Sequence, residues 1–180
     1  MITLHGRTVV PGYAEGEALV SPEPISGWGG IDPAAGRIIE SRHVLNGVAF
    51  TGKVLVFPSA KGSSGWSGFF QSTRLLGTAP VAMVITRIST KSALGAVVTR
   101  VPALTDLDQD PCAVIRTGDW VRVDATHGLI EVKPAVPTWG DTLPPGTPPS
   151  RGTPPDPRGP DPGGPEPPGA ELRSARRGRI

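Results

Sequence analysis

The part of the chain best suited to chemistry is the loop at residues 61–67, which consists mainly of glycine and serine. It follows Val54–Phe57, an apolar and partly β-branched run that predicts a buried strand, and it precedes apolar residues at helical spacing from Trp66 onward. Such a turn places backbone N–H groups and hydroxyls at a helix N-terminus, which favours an anion or a developing negative charge. Ser63 or Ser64 is therefore an N-cap, an anion ligand or a reactive hydroxyl.

A second candidate is the neighbouring pair Arg42 and His43, which follows a short predicted strand at residues 37–40. An arginine and a histidine side by side can bind a carboxylate or a phosphate, although a structural role at the surface remains open for them. The three histidines of the chain lie far apart and lack partners at ligand spacing, so we expect no metal site. The spacings of a nucleophile elbow and of a phosphate-binding P-loop are also missing.

The predicted strands and helices on either side of the loop at residues 61–67 alternate along the chain. We predict strands at 53–57, 81–86, 101–104, 112–115, 119–124 and 129–133, with helices at 66–76 and 89–99, the second capped by Ser89 or Thr90. Strands that alternate with helices imply a parallel sheet with right-handed crossovers. Shorter β segments precede this region and a hairpin closes it. The predicted fold class is α/β, a three-layer β/β/α domain with two mixed sheets and helices on one face.

The composition divides the chain in two. Residues 134–180 contain 14 of the 22 prolines and almost no aliphatic side chains. Such a segment cannot bury enough apolar surface to offset the entropy of ordering. We therefore predict a folded domain at residues 1–133 and a disordered, proline-rich tail at residues 134–180.

Charge and cysteine content narrow the classes of partner. The formal net charge is only +2 and no nucleic-acid motif is present, so we expect no nucleic-acid partner. The single cysteine, Cys112, excludes an intrachain disulfide and any cluster held by several cysteines of this chain. The first residues are too polar for a signal peptide, and no apolar run approaches the length of a membrane helix. We predict a cytoplasmic protein without a membrane partner.

A series of segments in fixed order resembles the small swivel-domain subunit of the aconitase X dehydratases, over most of residues 1–132. The segments are Gly29-Gly30-Ile31-Asp32-Pro33, Gly36-Arg37-Ile38-Ile39, Arg42-His43, Leu45-Asn46-Gly47, Gly52-Lys53-Val54-Leu55, Gly62-Ser63-Ser64, Ala79-Pro80-Val81-Ala82 and Gly118-Asp119-Trp120-Val121. The resemblance does not extend to the tail. One departure is Trp66, where many members have a small polar residue, and it belongs either to the helix core or to the wall of the pocket.

The resemblance implies a swivelling domain that docks on a large catalytic subunit to form a heterodimer. It implies that Ser63 is the catalytic base. From the residue types around it, we predict that Lys61, Gly62, Ser64, Arg42 and His43 bind the substrate, with Lys61 either stabilising the alkoxide of Ser63 or holding an acidic group of the substrate. The reaction would be dehydration of a hydroxy acid such as cis-3-hydroxy-L-proline or phosphomevalonate, which makes the chain a lyase subunit. No cofactor is expected in this chain, and an iron–sulfur cluster, where one exists, belongs to the large subunit.

Two other classes of function remain open on sequence grounds. The glycine loops are also compatible with a non-catalytic module that binds an anion or a partner protein. A phosphohistidine carrier domain fits less well, because such a carrier needs a histidine where this loop has Ser63. A large aconitase-like subunit encoded in the neighbouring reading frame would favour the enzyme over the module.

Overall fold

The computed structural model describes residues 1–135. The strands are β1 Ile2–His5, β2 Arg7–Val10, β3 Tyr13–Val20, β4 Ile25–Ser26, β5 Ile31–Asp32, β6 Arg37–Ile38, β7 Val54–Phe57, β8 Ala60–Lys61, β9 Ala82–Ile85, β10 Ala103–Thr105, β11 Trp120–Asp124 and β12 Leu129–Lys133. The helices are α1 Trp66–Leu75, α2 Thr90–Thr99 and α3 Pro111–Val114. None of these helices has both the length and the apolar character needed to cross a membrane. Apart from Pro134 and Ala135, the predicted tail lies outside the described residues.

The main sheet has eight strands in the order β1-β12-β11-β3-β7-β9-β10-β2. Its central strands β3, β7, β9 and β10 are parallel, as the alternation of predicted strands and helices requires. The strands outside this group pair antiparallel with their neighbours. Because the carboxyl ends of parallel strands lie at one edge of a sheet, the segments that lead from β7 to α1 and from β9 to α2 meet at that edge.

Strands β7 and β9 are covered on both faces, which explains why each of their residues is buried and apolar. Leu55, Phe57 and Met83 belong to the apolar cluster that includes residues of α1 and α2. Val54 and Val84 belong to a second cluster, shared with the apolar side chains of β1, β11 and β12. The domain therefore has three layers, β/β/α, and the predicted fold class is confirmed.

The two β layers are parts of one sheet, whereas the sequence pattern predicted two sheets. Strand β3 pairs with β11 through residues 13–17 and with β7 through residues 18–20. The sheet continues from one layer to the other through this strand. Alternating polarity along a strand does not show that its two halves pair with different layers, so the prediction missed this connection.

The predicted strand at residues 112–115 is wrong, because Pro111–Val114 forms a helical turn. The side chain of Asp110 accepts a hydrogen bond from the Cys112 N–H at 3.0 Å, and Pro111 occupies a first-turn position. Asp at the N-cap followed by Pro at the first helical position is a known helix-start signal. The side chains of Cys112 and Val114 pack on the cluster between the β layers, so this helix is not on the face of α1 and α2.

Candidate functional site

The serine loop, residues 62–65, connects β8 to α1 at the carboxyl edge of the parallel strands. Strand β8 pairs in parallel with β4, so that Lys61 lies opposite Ser26. A Cβ atom built on Gly62 would lie 3.9 Å from Ser26 Oγ. The serine loop is thus positioned by a short two-stranded sheet on one side and by the start of α1 on the other.

The conformation of the serine loop exposes its polar groups. Gly62 has a φ of +87°, which favours glycine. Ser63 and Ser64 are exposed, and neither hydroxyl bonds to another described residue. The N-cap of α1 is Gly65, with no side-chain cap, so the N-cap interpretation of both serines is wrong. The N–H groups of Ser64 and Gly65 also find no acceptor among residues 1–135, which leaves donors and hydroxyls free for a ligand.

Lys61, a predicted substrate contact, forms an ion pair in this structure. Its Nζ lies 2.7 Å from Oε1 of Glu40, and the two side chains are 38% and 26% exposed. The other carboxylate oxygen, Glu40 Oε2, is buried without a hydrogen-bond partner among the described residues. The pair neutralises the charge of Lys61 and holds the segment that contains Arg42 beside β8. Sequence reasoning did not identify Glu40.

Lys91 is a second residue that the sequence analysis missed. It is in the first turn of α2, and its Nζ donates a 2.6 Å hydrogen bond to the Gly62 carbonyl. The sequence contained a signal for this contact. Parallel neighbours β7 and β9 end at the same edge, and the predicted cap at Ser89 starts α2 there, so the residues after the cap belong near the serine loop.

The neighbouring residues Arg42 and His43, predicted to act as a pair, differ in the exposure of their side chains. Arg42 is exposed and has no hydrogen bond to another described residue. The ring of His43 is fully buried; its Nδ1 accepts from the Leu45 N–H at 3.0 Å. We therefore assign the proton of the neutral ring to Nε2, which lies 3.2 Å from Ser21 Oγ. Arg42 remains free to contact an anion, whereas both nitrogens of His43 are used to hold the loop.

Trp66, the residue that departs from the family pattern, belongs to the core. It is fully buried, its ring stacks on Phe70 with centroids 4.1 Å apart, and its Nε1 donates to the Ile25 carbonyl at 2.9 Å. A Cβ atom on Gly27 would lie 2.6 Å from Trp66 Cα, and one on Gly95 would overlap the indole ring. Trp66 thus ties α1 to β4 and to α2 and does not narrow a pocket.

The contact between Gly95 and Trp66 gives a prediction about stability. Gly95→Ala forces a methyl group into the buried indole, and we expect the free energy of unfolding to fall by about 1–3 kcal/mol. Gly68→Ala is the matched control, because Gly68 is also helical and a Cβ there meets nothing within 4 Å. That change should raise the free energy by roughly 0.5–1 kcal/mol. Urea denaturation of the three proteins measures both values, and equal or higher stability of Gly95→Ala would contradict the packing described.

The residues of this chain do not fit an iron–sulfur cluster. Such clusters are held mainly by cysteine thiolates, and the chain has 1 cysteine. Cys112 is half-buried, and burial raises the pKa of its thiol, which disfavours the thiolate. Within residues 1–135, His, Cys, Asp and Glu side chains do not gather in a group of three or more that could hold a metal ion. The prediction of a cluster in a partner subunit stays a prediction.

Comparison with known proteins identifies the family. The profile described as "Aconitase X swivel domain" matches residues 3–132. The chain belongs to the aconitase X swivel-domain family. The match spans all three layers of the fold and includes the serine loop. This confirms the resemblance inferred from the ordered segments.

Relatives of this aconitase X swivel domain cover the same part of the chain. The phosphomevalonate dehydratase small subunit of Methanosarcina acetivorans is 40% identical over 74% of this chain and 93% of its own length. That of Methanocella arvoryzae is 40% identical over 72% and 98%. The crystal structure of Thermococcus kodakaraensis aconitase X in its holo-form matches with a TM-score of 0.71 and 35% identity, over 74% of this chain and 100% of the other. The predicted class, a small subunit of a dehydratase of the lyase class, is confirmed.

Proposed function

We propose that this subunit completes the active site of an aconitase X-type dehydratase and that Ser63 is the base. The observation that supports the proposal is that the serine loop is exposed and its two hydroxyls are unpaired among the described residues. Ser63 is exposed at the carboxyl edge of the parallel strands, its hydroxyl bonds to no other described residue, and open N–H groups follow it in the chain. Ser64 shares this exposure, and Ser63 is chosen because the resemblance to the aconitase X family assigns the base to this position of the loop.

The proposed reaction removes water from a hydroxy acid. The alkoxide of Ser63 takes the proton from the carbon next to the carboxylate. The hydroxyl on the adjacent carbon receives a proton from an acidic group of the partner subunit and leaves as water, and Ser63 then releases its proton to solvent, which restores the alkoxide. One C–H and one C–O bond break and a carbon–carbon double bond forms. A serine is a poor base unless its alkoxide is stabilised, and N–H groups at a helix start supply that stabilisation in a closed, dry site. The partner subunit would close the site, since the serine loop of this chain is open to solvent.

For the substrate we propose phosphomevalonate first and cis-3-hydroxy-L-proline second. The two relatives described above are named as phosphomevalonate dehydratase subunits. Arg42 and the open N–H groups of the serine loop suit a substrate with two anionic groups. Lys61 fits the same purpose if the substrate displaces Glu40. Hydroxyproline carries a single carboxylate and would use fewer of these groups.

The partner is proposed to be a large aconitase X-type subunit that forms a heterodimer with this chain. The names of the relatives as small subunits support a larger partner. The fully exposed serine loop supports it as well, because the remaining walls of a substrate pocket must come from elsewhere. An iron–sulfur cluster, if one takes part, has its ligands in that partner, since this chain cannot supply them.

The proposal predicts that the purified chain alone is inactive. Half of a site cannot exclude water or hold both reacting groups, so dehydration should appear only when the large subunit is added. The measurement is product formation from phosphomevalonate and from cis-3-hydroxy-L-proline by the isolated chain, the large subunit and their mixture. Dehydration of either compound by the isolated chain at the rate of the mixture would contradict the proposal.

A further inference from the structure

The shortest hydrogen bond to the serine loop comes from a side chain of helix α2. Lys91 Nζ lies 2.6 Å from the Gly62 carbonyl, immediately before Ser63 in the chain. The main-chain bond that starts α1, from the Trp66 N–H to the Ser63 carbonyl, is 3.2 Å long. The hydroxyl of Ser67 donates to the Ser64 carbonyl at 3.4 Å. The contact from Lys91 is therefore the closest polar restraint on the peptide that precedes Ser63.

The placement of Lys91 is electrostatically unusual. It is in the first turn of α2, where the positive end of the helix dipole disfavours a cation. Among residues 1–135 it forms no ion pair with a carboxylate, while Lys61 on the other side of the loop is paired with Glu40. Lys91 is thus the lysine that brings an unneutralised positive charge to the serine loop.

We propose that Lys91 is a positioning residue for Ser63. Its ammonium holds the Gly62 carbonyl, which fixes the orientation of the next residue, and its charge favours a negative oxygen at Ser63. The inference rests on the proposed function of Ser63 and adds a residue from a different helix to that site. This role explains why a lysine occupies the first turn of α2, where its charge is unfavourable for the helix itself.

The test uses the assembled enzyme of full-length small subunit and large subunit. Lys91→Met keeps the length of the side chain but removes the charge and the donor, and it should lower kcat about 10–100-fold, because small displacements of a reacting group cost that much. KM should stay within about threefold of wild type, since a positioning residue acts on Ser63. Lys91→Arg should restore kcat to within about fivefold, because a guanidinium is also charged and donates to a carbonyl. Lys133→Met, a change at an exposed lysine of β12, is the matched control and should leave kcat unchanged.

Two outcomes would overturn the proposal about Lys91. One is a wild-type kcat in Lys91→Met; the other is a loss of kcat in Lys91→Met that Lys91→Arg does not restore. The failure of the proposed function is a separate result, because it would show as activity retained in Ser63→Ala. Loss of activity in Ser63→Ala with full activity in Lys91→Met would reject only the role of Lys91.

A second measurement keeps the proposal testable if Lys91→Met does not assemble with the large subunit. The backbone amides of Gly62, Ser63 and Ser64 can be followed by NMR relaxation in the full-length small subunit. Loss of the lysine contact should increase their mobility, while the amides of Gly29 and Gly30 should keep their wild-type values. Unchanged mobility of the serine loop in Lys91→Met would contradict the positioning role.

Discussion

Replacing Ser63 with alanine in the assembled enzyme should lower kcat by about 10²–10⁴-fold, the usual effect of removing a general base. The substitution removes the only group of this residue that can accept the proton of the substrate. It leaves the main-chain geometry of the serine loop unchanged, and the exposed side chain contributes no internal hydrogen bond. The melting temperature and the affinity for the large subunit should therefore remain those of the wild type. Steady-state kinetics and calorimetry of the same complex measure the two effects.

Ser64→Ala is the matched control for this experiment. Ser64 is the next residue, is equally exposed and lacks a hydrogen bond from its hydroxyl to another described residue. Since the N-cap of α1 is Gly65, the substitution should change the free energy of unfolding by no more than about 0.5 kcal/mol. It should reduce kcat much less than Ser63→Ala. Near-normal turnover of Ser63→Ala would reject the catalytic assignment and would favour a non-catalytic binding module.

Replacing Trp66 with alanine should have the largest effect on stability. The side chain is fully buried, and truncation of a buried tryptophan typically costs about 3–5 kcal/mol. The change also leaves the Ile25 carbonyl without its donor and removes the stacking on Phe70. For a domain of this size the melting temperature should fall by about 10–20 °C.

Trp120→Ala is the control for Trp66→Ala, since Trp120 is 46% exposed at the start of β11. Its removal should lower the melting temperature by only a few degrees, on the order of 1 kcal/mol. Thermal unfolding monitored by circular dichroism compares the two variants. Similar losses in both would show that Trp66 does not have the structural role described here.

The regular elements around the site were predictable because their signals are local. The apolar run of β7 and the helical spacing from Trp66 onward predicted the buried strand before the serine loop and the helix after it. The short strand β8, which leads directly into the loop, was not predicted. The cap of α2 was predicted as well: the Ser89 side chain and the Ser92 N–H form part of a capping box. The error at Cys112 arose because apolar character was given more weight than the Asp110-Pro111 helix-start signal.

The predicted and missed parts of the site differ in how far apart their contacts are in the sequence. The serine loop is continuous, so its pattern and its family resemblance were enough to single out Ser63 and Lys61 as candidates. The contacts of Glu40 with Lys61 and of Lys91 with Gly62 join residues 21 and 29 positions apart, and they depend on tertiary packing. The burial of His43 also depends on packing, since Ser21 lies 22 residues before it. A single sequence carries no local signal for such pairs, and the signal for Lys91 was indirect, through the shared edge of β7 and β9 and the cap at Ser89.

The most direct test of the central claim is isotope transfer by the assembled enzyme in deuterated water. The reverse reaction adds water to the unsaturated product, and the base delivers hydrogen to the carbon next to the carboxylate. The wild-type complex should produce hydroxy acid that carries deuterium at that carbon. The Ser63→Ala complex, which should assemble with equal affinity, should produce this deuterated hydroxy acid at a rate lower by at least about 10²-fold. Mass spectrometry and NMR of the recovered hydroxy acid measure the incorporation. Incorporation by Ser63→Ala at the wild-type rate would show that another group is the base.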